Sequence, residues 1–216
     1  MFIILFLFFS NINIMDYSKL KTGDILLFDY CGGGISGYIS KLIKYFTESK
    51  YTHIGMIVCD PDFTYPPLKG IYIWESGFEN IPDPENKKIK YGVQFTPIEK
   101  ILSEYKNKGY VYLRKLKCNK INISNKKLKI IHEKVHNKPY DINIFDWLEA
   151  YTKHDLQPKK TDRFWCSALI GYIYTKLNII SSNTDWSILR PSDFSETKEN
   201  IIFLNDSLLE NEILIQ

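Results

Sequence analysis

The chain has 216 residues, 44% hydrophobic and 25% charged, a balance that excludes a disordered chain and suits one domain with a real core. Its net charge of +3 comes from 28 Lys+Arg against 25 Asp+Glu, scattered without a basic stripe, so nucleic acid is not an expected partner. Four cysteines, Cys31, Cys59, Cys118 and Cys166, form no CxxC pair and no Cys/His cluster with zinc-ligand spacing, so neither a metal nor a cofactor is predicted.

Phe2 to Phe9 is a continuous apolar run. A membrane span needs about 20 apolar residues, and this run is shorter. The apolar region of a signal peptide, about 7–15 residues, suits it better. Yet no Lys or Arg precedes the run and no small-x-small cleavage site follows. Signal, anchor and a true start at Met15 therefore stay open for residues 1–15, with membrane association through residues 2–14 under the first two. Residues 16–216 are read as a single domain.

Leu20 to Asp24 is turn chemistry, and Ile25 to Phe28 is a short buried strand. Gly32, Gly33 and Gly34 form a loop without the lysine-Ser/Thr ending of a phosphate loop. Ser36 is placed to cap a helix with Ile39, Leu42, Ile43 and Phe46 on its apolar face. In Tyr51 to Val58, Ile54, Met56 and Val58 alternate with His53, Gly55 and Ile57, which predicts a strand with one fully apolar face and His53 at its start. Ile71 to Glu75 is the next strand, ending on a carboxylate in phase with Ile71 and Ile73. Residues 76–90 read as a surface excursion, and Tyr91 to Phe95 as a strand. Thr96-Pro97-Ile98-Glu99 predicts a helix start with a capping box, running to about Tyr105. Tyr110 to Leu116 alternates as a strand. Ser124 caps a predicted helix through Leu128, Ile131 and Val135, broken by Pro139-Tyr140-Asp141. Within it, His132-Glu-Lys-Val-His136 spells the H-E-x-x-H pattern of zinc peptidases. No third ligand is evident there, and the surrounding lysines favour a solvated helix face. Ile144 to Tyr151 reads as a short helix followed by a polar loop.

The stretch Thr161 to Leu177 holds the chemistry. Thr161 or Asp162 is the predicted N-cap, and Leu169, Ile170, Ile173 and Leu177 recur at helical spacing as a buried stripe. A thiol at a helix start sits by unpaired N–H groups and the positive end of the dipole, which favour the nucleophilic thiolate. Cys166 is thus either an activated nucleophile or one more small buried residue. The other cysteines read as unpaired packing residues. The order of elements, adjacent short strands with helices between and after them, is an α+β pattern. His53, Glu75 and Cys166 are the residue types of a thiol triad. The histidine exchanges the thiol proton, and the carboxylate fixes the histidine's orientation.

Leu20–Phe28, Tyr51–Val58, Tyr72–Ser76 and Phe164–Ile170 together resemble the successive motifs of the circularly permuted papain-like amidases. This is the permuted branch of the NlpC-type cysteine peptidases, with YiiX-like bacterial proteins and a poxvirus virion protein among its members. The order His53, Glu75, Cys166 matches that branch, and Arg190-Pro-Ser-Asp193 resembles the turn that follows its cysteine helix. The resemblance implies an antiparallel sheet packed on helices with the nucleophile at a helix N-terminus. It also implies a Cys166–His53–Glu75 triad, and a thiol hydrolase, a cysteine peptidase or amidase, acting on peptide or cell-wall-type amides. One departure is Ala168, where family members often carry a glutamate after Cys-Ser, and it bears on substrate preference.

Two other readings stand beside this one. A lipid-directed thiol hydrolase or acyltransferase also places histidine before cysteine, but such enzymes show Asn-Cys-Glu-His where this chain has Trp165-Cys-Ser-Ala168. The apolar leader and the many aromatics suit a lipid substrate. The third reading is a catalytically idle member used as a virion or structural binding protein. Localisation follows the leader: secreted, membrane-associated or in a virion if it works, otherwise cytoplasmic.

Overall fold

The computed structural model describes residues 16–119, 123–141, 161–197 and 201–216. The predicted leader and the predicted helix over 144–151 with its following loop lie outside the described residues. The protein is an α+β structure built on one six-stranded antiparallel sheet. At its centre β1 (Ile25–Tyr30) pairs with β2 (His53–Cys59) on one side and β5 (Gly109–Arg114) on the other. Beyond β2 come β3 (Ile71–Gly77) and β4 (Gly92–Pro97). A second small pair is made by β6 (Leu116–Lys117) and β7 (Leu208–Leu209), and β8 (Ile213–Leu214) closes the far edge beside β5. The helices are α1 (Gly34–Thr47), α2 (Ile98–Tyr105), α3 (Asn125–Val135) and α4 (Cys166–Lys176). Among the described residues no helix is long and apolar enough to cross a membrane.

Strand alternation sends neighbours to opposite faces of the sheet, and here both faces are covered. Ile54, Met56, Val58 and Trp74 pack with residues of α3 and α4. Leu26, Phe28, Ile57 and Ile73 pack with Ile98, Ile101 and Leu102 of α2. The sequence predicts a single apolar face for β2. The structure buries its second face too, because the short α2 folds back over it. Along α4 and at its C-cap, Leu169, Ile170, Ile173 and Leu177 are fully buried, as their spacing predicts. Each contributes about 1.5–3 kcal/mol by leaving water. The burial continues around α4 from Cys166 to Tyr174, so this helix is held on all sides.

Several predicted helix starts are corrected. α1 begins at Gly34 after Gly33, not at a Ser36 cap, and Leu42, expected on the apolar face, is half exposed. α2 begins after Pro97 with no side-chain cap, because Thr96 stays in β4 and its hydroxyl donates to Glu75 instead of to the helix. α4 is capped by neither Thr161 nor Asp162 but starts after Trp165, since Phe164 is committed to a bridge with Tyr140. The Ser124 cap of α3 is present, its Oγ accepting the Lys127 N–H. α3 runs through Val135, as predicted, and Asn137 then takes a left-handed conformation (φ 58°) ahead of the proline. All four cysteines are free thiols.

Candidate active site

Met56 lies opposite Trp74 and Ile57 opposite Ile73 in the β2–β3 ladder. Continued toward the start of β2, this register faces Gly55 with Glu75 and His53 with Gly77. His53 and Glu75 are then diagonal neighbours on one face, each opposite a glycine, and diagonal side chains of this length can meet. They do: His53 Nε2 lies 2.7 Å from Glu75 Oε2. The glycines make room for this contact. A Cβ on Gly77 would come 3.2 Å from His53 Cε1, and one on Gly55 would come 3.4 Å from Glu75 Cβ and clash with Ile73 Cγ2.

Glu75 is completely buried, and its other oxygen, Oε1, accepts the Thr96 hydroxyl. Both carboxylate oxygens are therefore engaged. Since a carboxylate accepts, Nε2 of His53 carries the donated hydrogen, and Nδ1 is left for exchange with a thiol. The next residue, Ser76, points to the opposite face, where its hydroxyl donates to the Phe164 carbonyl at 2.7 Å. Adjacent residues of β3 thus fix both the histidine and the segment leading into α4. Ser167 donates to the Leu189 carbonyl at 2.6 Å, joining α4 to the turn Pro191–Phe194, where the Arg190 N–H meets Asp193 Oδ2 at 2.8 Å.

His53, Glu75 and Cys166 are brought together. Burial is the largest influence on the His53 ring and opposes its charge. Hydrogen bonds with Cys166 and Glu75, and their charges, outweigh it and hold the pKa well above 6.5. Cys166 opens α4 with no side-chain cap, so its own backbone N–H is among the orphan donors at that helix start.

Sequence reasoning missed three neighbours. Glu79, just past β3, reaches 4.0 Å from His53 Nε2, and burial with the nearby Glu75 charge pushes its pKa up to about 7. Tyr140 sits beside Cys166, and burial, with the nearby Cys166 charge, raises its phenol pKa well above the ordinary value. Tyr91 lies against Tyr140, ring centroids 4.8 Å apart. None sits in a spacing pattern that marks it. A cleft of about 390 Å³ opens at this end of the sheet, lined by His53, Phe78, Glu79, Tyr91, Tyr105 and Tyr140 among others. Cys166 is only 5% exposed and does not line it; Tyr140 does. Among the described residues, His53, Glu75 and Glu79 are also one of two groups of donors close enough together to hold a metal ion.

No protein-family model matches the chain, and no curated protein matches it.

Proposed function

We propose that the protein is a cysteine hydrolase of the circularly permuted papain-like type, cleaving an amide through Cys166, His53 and Glu75. The observation that carries this reading is the His53 ring. It is joined at one nitrogen to a buried, doubly held carboxylate and lies beside a thiol at a helix start, whose influence helps hold its pKa up. Cys166 Sγ attacks the carbonyl carbon, and the proton held on His53 passes to the departing amine as the C–N bond breaks. The backbone N–H of Cys166 donates to the oxyanion. Water then attacks the thioester, giving one proton to His53 and releasing the acid, and the thiol–histidine pair is restored. Glu75 keeps the ring turned with Nδ1 toward the thiol. Loss of Cys166 or His53 lowers the rate by several orders of magnitude, and loss of Glu75 by less.

An acyl-transfer trap tests this. After mixing with an activated ester or a fluorogenic peptide amide, peptide mapping finds an acyl group on Cys166 in the wild type and none in His53→Ala. A Cys166 that never acylates with any member of a peptide, cell-wall and lipid substrate panel contradicts the reading.

A further inference from the structure

Away from this site, the helix face expected to be solvated is not. His132 is buried, and its ring is wedged among Phe63, Trp74 and Phe95, with centroid separations of 5.6, 6.0 and 5.8 Å. His136 follows one turn later, its ring centroid 4.7 Å from that of His132. The missing third ligand comes from the excursion between β3 and β4. Glu85 Oε2 lies 3.0 Å from His132 Nε2 and 3.2 Å from His136 Nδ1. The three donor atoms lie within 4.8 Å of one another. We propose that Glu85, His132 and His136 form a zinc site that fastens the excursion following β3 to α3.

The donor set suits the ion. Two imidazoles and a carboxylate are typical zinc ligands, with a fourth position for water. A tetrahedral ion with bonds of about 2.0–2.1 Å holds neighbouring ligand atoms about 3.3 Å apart, close to both separations here. The ligands are also held in advance. Glu85 Oε1 accepts the Tyr65 N–H at 3.2 Å, and the Glu85 N–H donates to Asp83 Oδ1 at 2.8 Å, which turns Oε2 toward the histidines. His136 remains 30% exposed at its side chain, leaving a path for the ion and for water. Lys90, whose charge reaches His136, is paired with buried Asp83 at 2.5 Å and does not oppose a bound ion unbalanced. The excursion carries Phe78, Glu79 and Asn80 into the wall of the cleft, so zinc here would fix that wall. The proposal does not depend on the thiol chemistry.

The test uses the Cys166→Ser/Glu79→Gln chain, which removes the thiol and one carboxylate donor of the other site as competing ligands, stripped with EDTA and titrated with zinc and with cobalt(II). One equivalent binds, the cobalt spectrum is of the tetrahedral kind, and zinc raises the melting temperature. In His136→Ala and in Glu85→Gln, affinity falls by about 100-fold or more and the melting shift disappears. Should either variant fail to fold, zinc-edge X-ray absorption on the EDTA-stripped, zinc-loaded chain decides alone, with two imidazoles expected in the coordination shell. Absence of bound zinc at micromolar concentration, or binding unchanged by both substitutions, overturns the site and leaves a hydrogen-bonded His–Glu–His cluster.

Discussion

His53 and Glu75 meet diagonally across two antiparallel strands, Nε2 to Oε2 at 2.7 Å, each facing a glycine on the partner strand. The pairing depends on what is missing opposite each side chain as much as on the side chains themselves. In Gly77→Ala the new methyl lies 3.2 Å from His53 Cε1, so the ring must yield by a few tenths of an ångström. A displacement of that size misaligns proton transfer. The acylation rate of Cys166 is expected to fall about 10- to 100-fold, while urea denaturation shifts by only about 1 kcal/mol. An unchanged acylation rate would mean that the ring position is not held by this glycine.

Thr96 supplies the second grip on Glu75. Thr96→Val keeps the shape and removes the donor, leaving a fully buried carboxylate oxygen without that partner. Stability is expected to drop by about 1–3 kcal/mol in urea denaturation, since an unsatisfied buried acceptor costs its desolvation. The same substitution loosens the orienting carboxylate and lowers turnover.

Glu79 gives a pH signature. Its folded pKa is raised from 4.5 to about 7. Between these values the folded chain holds a proton that the unfolded chain has released. The group's favourable contribution is therefore complete below pH 4.5 and is lost as pH rises through about 7. Glu79→Gln carries no such loss. Its stability should match the wild type near pH 4.5 and exceed it increasingly up to pH 7, by about 1–3 kcal/mol above that. Thermal melts of both proteins across this range provide the check, and a difference that stays flat with pH would show that Glu79 ionises normally.

Tyr140 lines the cleft, while the Cys166 thiol beside it does not. Tyr140→Ala should therefore raise the alkylation rate of Cys166 by bulky maleimides more than by iodoacetamide. Equal acceleration of both reagents would place the barrier elsewhere.

The parts legible in the sequence were those set by local periodicity. The alternation of Ile54, Met56 and Val58 located β2 and put His53 at its first residue, and the spacing of Leu169, Ile170, Ile173 and Leu177 marked the buried stripe of α4. What failed depended on partners distant in the chain. Thr96 reads as a helix cap until β3 presents Glu75 to its hydroxyl. Asp162 reads as a cap until Phe164 pairs with Tyr140. His132 reads as exposed among lysines, because nothing local reveals that Phe63, Trp74 and Phe95 will enclose it. Glu79 beside His53 and Tyr140 beside the thiol owe their places to loop paths that no short-range pattern encodes.

The central claim is that Cys166 and His53 share a proton as a working pair. The alkylation rate of Cys166 by iodoacetamide, followed by mass spectrometry as a function of pH in the wild type and in His53→Ala, tests it most directly. Burial of the thiol scales the rate at every pH, so the shape of the profile carries the answer. The account predicts a rate that persists well below about pH 8.5, the value for a free cysteine, and that falls away below that pH in His53→Ala. A profile that rises only near the free-cysteine value, and is the same in both proteins, would contradict it.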